Sequence, residues 1–178
     1  MRKKAFLLLF LLITLMPVFP KTGYEATIRG EGMFTSVFAP ADQMRSSPTF
    51  GVELDVLALK FAERHVLSLP VYVGYTYPTR RNGNVRLQEH VDMALTLSYR
   101  YKVNDFFHFS IKGGFGIDYY SAIKGIVGKV VGECALWFLP TNWLSFTFPA
   151  RVSYGSGVYY LSYGVGLSVL IGNKGVEN

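Results

Sequence analysis

Cysteine, charge and long apolar runs are all scarce in this sequence of 178 residues. The single cysteine, Cys134, has no partner within the chain, so an internal disulfide is excluded. Charged residues make up only 17% of the sequence. Beyond residue 20, no apolar stretch approaches the roughly 20 residues that a membrane-spanning helix needs. The mature chain is therefore neither a disulfide-stapled domain nor a helical membrane protein.

The first twenty residues form a separate segment. A basic start, Arg2-Lys3-Lys4, precedes an apolar run from Ala5 to Phe19 that only Pro17 breaks. This order is typical of a secretory signal peptide, predicted over residues 1–20 with cleavage by about residue 23, and an N-terminal anchor helix is the alternative. Removing it takes away three basic residues and lowers the formal charge from +6 to +3. We therefore expect no nucleic-acid partner.

From residue 24 onward, apolar and polar residues alternate with period two, which places alternate side chains on opposite faces of a strand. Twelve Tyr, fourteen Phe and eighteen Gly also favour strands and tight turns. In the clearest segment, Val91, Met93 and Leu95 alternate with His90 and Asp92. Eight strands are predicted, near residues 24–38, 49–60, 66–77, 90–103, 107–120, 126–138, 144–154 and 159–171.

Eight alternating strands of this length predict an all-β, antiparallel up-and-down barrel, and two versions share the pattern. A soluble barrel turns its apolar face inward, whereas a membrane barrel turns it toward lipid. The sequence favours the membrane version because the polar face is rich in Gly, Ser and Thr, the apolar faces are long, and aromatic residues sit near their ends. These end residues are Tyr75, Tyr77 and Tyr119 at one rim, and Tyr99, Tyr101, Phe107 and Phe109 at the other.

Residues from about 24 to 172 resemble, in strand count and pattern, the small eight-stranded outer-membrane barrel family of the OmpX, OmpW and OmpA transmembrane-domain type. The resemblance implies a bacterial outer-membrane location, contact with lipid and lipopolysaccharide, and recognition by the outer-membrane assembly machinery. The connections after strands two, four and six are short, and the others are mostly longer or richer in glycine. Short turns are typical of the periplasmic side, so both termini are predicted to be periplasmic. A short polar tail, 172–178, follows the last strand.

The polar faces predict a lumen that holds seven acidic and six basic residues. Because an unpaired buried charge is costly, we expect these groups to form an ion-pair network that fills the barrel, and a gated narrow pore is the alternative. The predicted network comprises Glu25, Arg29, Glu31, Glu53, Asp55, Asp92, Arg100, Lys102, Lys112, Asp118, Lys129, Glu133 and Arg151.

The connection between strands three and four is the most distinctive loop. It carries Arg80, Arg81 and Arg86 around an Asn82-Gly83 turn signal. A two-residue turn there would pair odd with even positions, so a bulge or a three-residue loop must restore the parity of the flanking strands. The three arginines predict a basic hairpin tip that binds lipopolysaccharide phosphates or another anionic surface ligand, and a merely solvated loop is the alternative.

The histidines offer two weaker candidates for chemistry. His90 and Asp92 share the lumen face and suggest a proton shuttle or part of a metal site, but a hydrogen-bonded interior pair is the simpler reading. His108-Phe109-Ser110 resembles the His-x-Ser of the lipid A deacylase PagL family. The leading expectation is a non-enzymatic surface barrel with no catalytic residues, metal or cofactor. A narrow pore for small or hydrophobic solutes, implied by the OmpW resemblance, is second, and a lipid A-modifying enzyme is third.

Overall fold

A computed structural model describes residues 25–38, 45–61, 64–81, 84–87 and 89–172, without the side chains of residues 38, 45, 56, 79–81, 84–87 and 172. The predicted signal peptide, 1–20, lies outside these residues, as does the tail after Gly172. The described residues form ten strands: β1 (Glu25–Phe38), β2 (Arg45–Phe61), β3 (His65–Thr76), β4 (Thr79–Arg81), β5 (Asn84–Leu87), β6 (His90–Lys102), β7 (Phe107–Tyr120), β8 (Gly125–Phe138), β9 (Leu144–Gly155) and β10 (Val158–Gly172).

Eight of the strands in the described segments close into one antiparallel barrel in the order β1-β10-β9-β8-β7-β6-β3-β2. Each strand pairs with its neighbours in the barrel sequence, and β1 closes the circle by pairing with β10 from Glu25–Gly172 to Phe38–Tyr159. The predicted up-and-down eight-stranded barrel is confirmed. No helix in the described residues is both long and apolar enough to cross a membrane.

The two faces of the wall have opposite chemistry. On β7, Phe109 and Ile111 are exposed on the outside, while Ser110 and Lys112, which alternate with them, are buried in the lumen. The outward face is apolar all around the barrel, and the buried side chains are mostly hydroxyls and charges. The apolar face therefore points outward, as in the membrane version of the prediction and contrary to a soluble barrel.

One strand departs from the predicted alternation. The register of β2 against β3 shifts between Asp55 and Leu57, which marks a β-bulge. After it, Leu57 is exposed and Ala58 is fully buried. The prediction carried period two straight through Val56. It was wrong here because a bulge places two residues of one strand opposite one residue of its partner and so reverses the faces beyond it.

The connections gather at two ends of the barrel. The turn end holds Arg64 and the connections 103–106 and 139–143, together with the start of β1 and the end of β10. The loop end holds the end of β1, the start of β2, strands β4 and β5, and the connections 121–124 and 156–157. The last of these is a two-residue hairpin turn in which Ser156 and Gly157 both have positive φ, as the twist of antiparallel strands favours.

Strands β4 and β5 form a separate two-stranded hairpin at the loop end, beyond the last barrel pair, Thr76–His90. Arg81 pairs with Asn84, but Thr79 pairs with Leu87, because a bulge lies between Thr79 and Arg80. The bulge predicted to restore parity is confirmed.

The ladder of backbone pairs has two gaps, both beside an inward-facing proline. Pairing between β3 and β6 stops at Ser68–Ser98 and resumes at Val71–Leu95, on either side of Pro70. Pairing between β9 and β10 skips Pro149 in the same way. Proline has no N–H to donate, so each gap follows from the sequence.

Candidate functional site

The centre of the lumen holds an Arg29 side chain that is fully buried and surrounded by carboxylates from three strands. Its Nη2 atom lies 2.9 Å from Glu31 Oε2, 3.1 Å from Glu53 Oε2 and 2.8 Å from Glu133 Oε1. Glu31 stands on β1, Glu53 on β2 and Glu133 on β8, so this one guanidinium joins opposite walls of the barrel.

Two further cations complete this central cluster. Arg151 Nη2 lies 2.8 Å from Glu31 Oε1 and 2.7 Å from Glu133 Oε2. Lys112 Nζ lies 3.0 Å from Glu133 Oε1 and donates to Glu53. Three cations and three carboxylates make the cluster neutral. Neutrality and close pairing are what buried charges require, because a buried ion without a partner is strongly destabilising.

Tyr72 supports the central cluster from the side. The guanidinium carbon of Arg151 lies 3.9 Å from the centre of the Tyr72 ring, within the range of a cation–π contact. The tyrosine lies over Gly51 and Gly74, where an added Cβ would come within 2.4 Å and 2.2 Å of its side chain. Any larger residue at either position would displace the ring, so these glycines fix the place of Tyr72.

A second cluster lies toward the loop end. Lys129 Nζ is 2.7 Å from both Asp92 Oδ1 and Asp118 Oδ1, and the two aspartates are direct register partners on β6 and β7. His90, next to Asp92 on the lumen face, packs its ring 5.0 Å from that of Tyr120. No group of three or more potential metal ligands occurs among the described residues.

The third cluster lies at the turn end and is partly open to solvent. Arg100 donates to Glu25 and to Thr27 Oγ1, and its guanidinium carbon lies 4.8 Å from the Trp137 ring centre. Lys60 reaches Glu25 at 3.8 Å.

Lys102 does not join the interior network. Its side chain is 36% exposed and lies 2.8 Å from Asp105 in the adjoining turn. That hydrogen bond holds the pKa of the Asp105 carboxyl below its usual range. Lys102 stands at the last position of β6, where the lumen meets solvent.

Uncharged hydroxyl groups occupy the lumen at the loop end. Thr35 Oγ1 is 2.7 Å from Thr49 Oγ1 and 2.9 Å from Ser162 Oγ, which links β2, β1 and β10. The hydroxyls of Tyr120 and Tyr160 meet at 2.8 Å and bridge the lumen from β7 to β10. These contacts lie between the charged clusters and the loop end.

The pair singled out by the lipid A deacylase resemblance is not a catalytic dyad in this structure. Trp137 Nε1 donates to Ser110 Oγ at 2.8 Å. Neither ring nitrogen of His108 has a hydrogen-bond partner among the described residues. A serine nucleophile needs a base within hydrogen-bond reach, and His108 does not supply one to Ser110.

Sequence reasoning placed the interior charges on the correct face but missed several of their partners. Lys60 was left out of the network because the bulge at Val56 reverses the face on which it lies. Tyr72 and Trp137 fall on the polar face of the alternating pattern, but nothing in the sequence indicates that both support arginines. The basic residues of the β4–β5 hairpin, Arg80, Arg81 and Arg86, have side chains outside the described part of the structure.

A scan of protein-family models and a search of curated proteins each find no match to this chain. Solved structures do match. The attachment invasion locus protein Ail of Yersinia pestis is 10% identical, with a TM-score of 0.63 over 83% of this chain and 99% of Ail. Neisserial surface protein A is 6% identical, with a TM-score of 0.57 over 81% of this chain and 96% of its own.

The N-terminal β-barrel domain of OprF from Pseudomonas aeruginosa is a further match, 12% identical, with a TM-score of 0.56 over 83% of this chain and 99% of that domain. At identities of 6–12%, these matches show a shared fold. The chain has the fold of the small eight-stranded outer-membrane barrels.

Proposed function

We propose that the protein is a non-enzymatic barrel of the bacterial outer membrane that binds a polyanionic ligand at its loop end. Its wall crosses the lipid, its termini and turn end face the periplasm, and its β4–β5 hairpin faces outward. The observation that carries the proposal is that the interior and the loop end of the barrel differ in structure. Ion pairs fill the interior, while the hairpin lies beyond the rim.

The filled interior supports a structural role for the barrel. The Arg29–Glu133 ion pair joins β1 to β8 across the lumen at 2.8 Å, where a conducting pore would need water. An eight-stranded barrel is just wide enough for its own side chains. The barrel therefore serves as a rigid support for what stands at its rim.

The composition of the hairpin supports an anionic ligand. Three arginines lie within seven residues, 80–86, and guanidinium groups bind sulfate and phosphate oxygens in pairs of parallel hydrogen bonds. The Ail structure with a heparin analogue, sucrose octasulfate, has a TM-score of 0.59 to this chain at 12% identity. A barrel of this fold thus accommodates a polysulfated sugar, and the hairpin gives this chain the cations for one.

Replacing the three arginines, R80Q/R81Q/R86Q, is expected to weaken binding of sucrose octasulfate. Exposed ionic contacts contribute about 0.5–1 kcal/mol each, so the triple variant should bind roughly 10–100-fold more weakly. Isothermal titration calorimetry on the refolded chain in a zwitterionic detergent measures this. Because ionic attraction is screened by salt, the wild-type affinity should also fall as salt is raised.

The matched control is K60Q/R64Q/K102Q, which removes three cations at the turn end. It therefore has the same net charge as R80Q/R81Q/R86Q. It should keep wild-type affinity for sucrose octasulfate. Equal weakening of binding by both triple variants would show that total charge, and not the hairpin, attracts the ligand, and would refute the proposed site.

A narrow pore is the second candidate, favoured by one observation. Arg29 lies within 3.1 Å of three carboxylates, so it can exchange partners without losing its charge compensation. The closed-lumen proposal predicts that the refolded chain is electrically silent in planar bilayers, and that E53Q is silent too. Discrete conductance steps in the wild type that change in E53Q would favour the pore and contradict the closed-lumen proposal.

A further inference from the structure

A cavity of about 840 Å³ opens at the turn end, on the opposite side of the ion-pair clusters from the β4–β5 hairpin. We call it the vestibule. Such a volume is typical of sites for small organic molecules. The vestibule is bounded by the ends of the strands and by the turns 103–106 and 139–143.

The charged lining of the vestibule is unbalanced toward positive. Four cations, from Lys60, Arg64, Arg100 and Lys102, face two carboxylates, from Glu25 and Asp105. Glu25 is shared between Arg100 and Lys60, and Asp105 serves Lys102. No described carboxylate lies within ion-pair distance of Arg64. This excess attracts an anion.

The remaining lining is apolar. Val66, Leu139 and Leu170 are buried against the lumen, and Trp143 stands exposed in the turn 139–143. Burial of an organic group against this surface is favourable, by about 25 cal/mol for each Å² of apolar area. A ligand that complements the whole lining therefore carries both an anionic group and an apolar body.

His108 gives an independent sign of a missing partner. It lines the vestibule and is only 7% exposed, yet both of its ring nitrogens are buried without a hydrogen-bond partner among the described residues. Buried polar groups in folded proteins are nearly always paired, so an orphaned imidazole facing a cavity needs an explanation. A carboxylate in the vestibule would accept the hydrogen bond that the ring N–H lacks.

We propose that the vestibule binds a small organic carboxylate with an apolar or aromatic body. The carboxylate lies among Arg64, Lys102 and the His108 ring, and the body packs on Trp143 and Leu139. This site is separate from the hairpin, and the failure of either leaves the other standing.

Benzoate is the probe, and the two tryptophans of the chain are the reporters. In ¹H–¹⁵N spectra of the refolded chain in micelles, benzoate should shift the indole signal of Trp143 with a Kd on the order of 1 mM. The neutral isostere benzamide should bind at least tenfold more weakly, since it lacks the charge. Acetate should also bind more weakly than benzoate, since it lacks the ring. The His108 ring nitrogens should shift with benzoate as they gain a partner.

Two variants test the assignment of the cations. R64Q and K102Q should each weaken benzoate binding about fivefold to tenfold, the effect of one charge-assisted hydrogen bond. The hairpin variant R80Q/R81Q/R86Q should leave it unchanged. Folding of each variant is checked by the heat-dependent shift of its gel mobility. Equal binding of benzamide and benzoate, or no Trp143 shift in the folded wild type, would overturn the proposal.

Discussion

Replacing Arg29 with methionine is expected to lower the free energy of unfolding by about 3–5 kcal/mol, the range measured when one partner of a buried ion pair is removed. Arg29 is fully buried and meets three carboxylates from β1, β2 and β8. Without it, the central cluster keeps two cations for three carboxylates. The excess negative charge is buried away from bulk solvent. Urea titration of the protein in lipid vesicles, followed by tryptophan fluorescence, measures the change.

The matched control for this variant is R64M, the same substitution in an exposed turn, which should cost less than about 0.5 kcal/mol. The double variant R29M/E53Q restores the charge balance and should be more stable than R29M alone. If R29M were no less stable than R64M, the interior would be hydrated enough to tolerate the lost charge. The closed-lumen proposal would then fail together with the stability prediction.

Replacing Lys129 with methionine is expected to destabilise the barrel by a similar amount, about 3–5 kcal/mol, for a different reason. Asp92 and Asp118 face each other as register partners, and Lys129 lies 2.7 Å from both. Like charges directly opposite on neighbouring strands repel. Removing the ammonium group leaves two buried carboxylates with that repulsion uncompensated. The same urea titration measures the loss.

Here K124M is the control, because Lys124 is exposed in the connection 121–124. The variant K129M/D92N/D118N removes all three charges and keeps the shapes of the aspartates, so it should regain most of the stability that K129M loses. If the triple variant were as unstable as K129M, packing by the lysine chain, and not charge, would explain the loss.

The strands and the direction of their faces could be predicted from the sequence because period two is a local property. A residue such as Lys112 goes to the lumen side once its apolar neighbours go to the lipid side. The exception at Val56 has the same origin. Around it, the stretch Asp55-Val56-Leu57-Ala58-Leu59 is continuously apolar after the aspartate, so nothing in the alternation signals the extra residue.

The partners across the lumen could not be predicted. Arg29 meets Glu133, 104 positions away, because the register around the closed barrel brings β1 and β8 to the same height. Knowing which face a residue lies on does not tell how far along the barrel axis it lies. The vestibule was missed for the same reason, since Arg64 and His108 line one cavity only after the strands have closed.

The pairing of β1 with β10 has a consequence for the order in which the molecule is made. The first barrel strand, β1, has its full set of partners only when the last strand, β10, has been synthesised. Until then, the backbone groups on the free edge of β1 have no strand to pair with. Unpaired backbone groups cannot be left in the lipid interior. Joining the two extremes of the chain also makes this contact the slowest to form unaided. Insertion must therefore wait until β10 has been made, and until the ring closes the protein depends on being kept apart from other open strands.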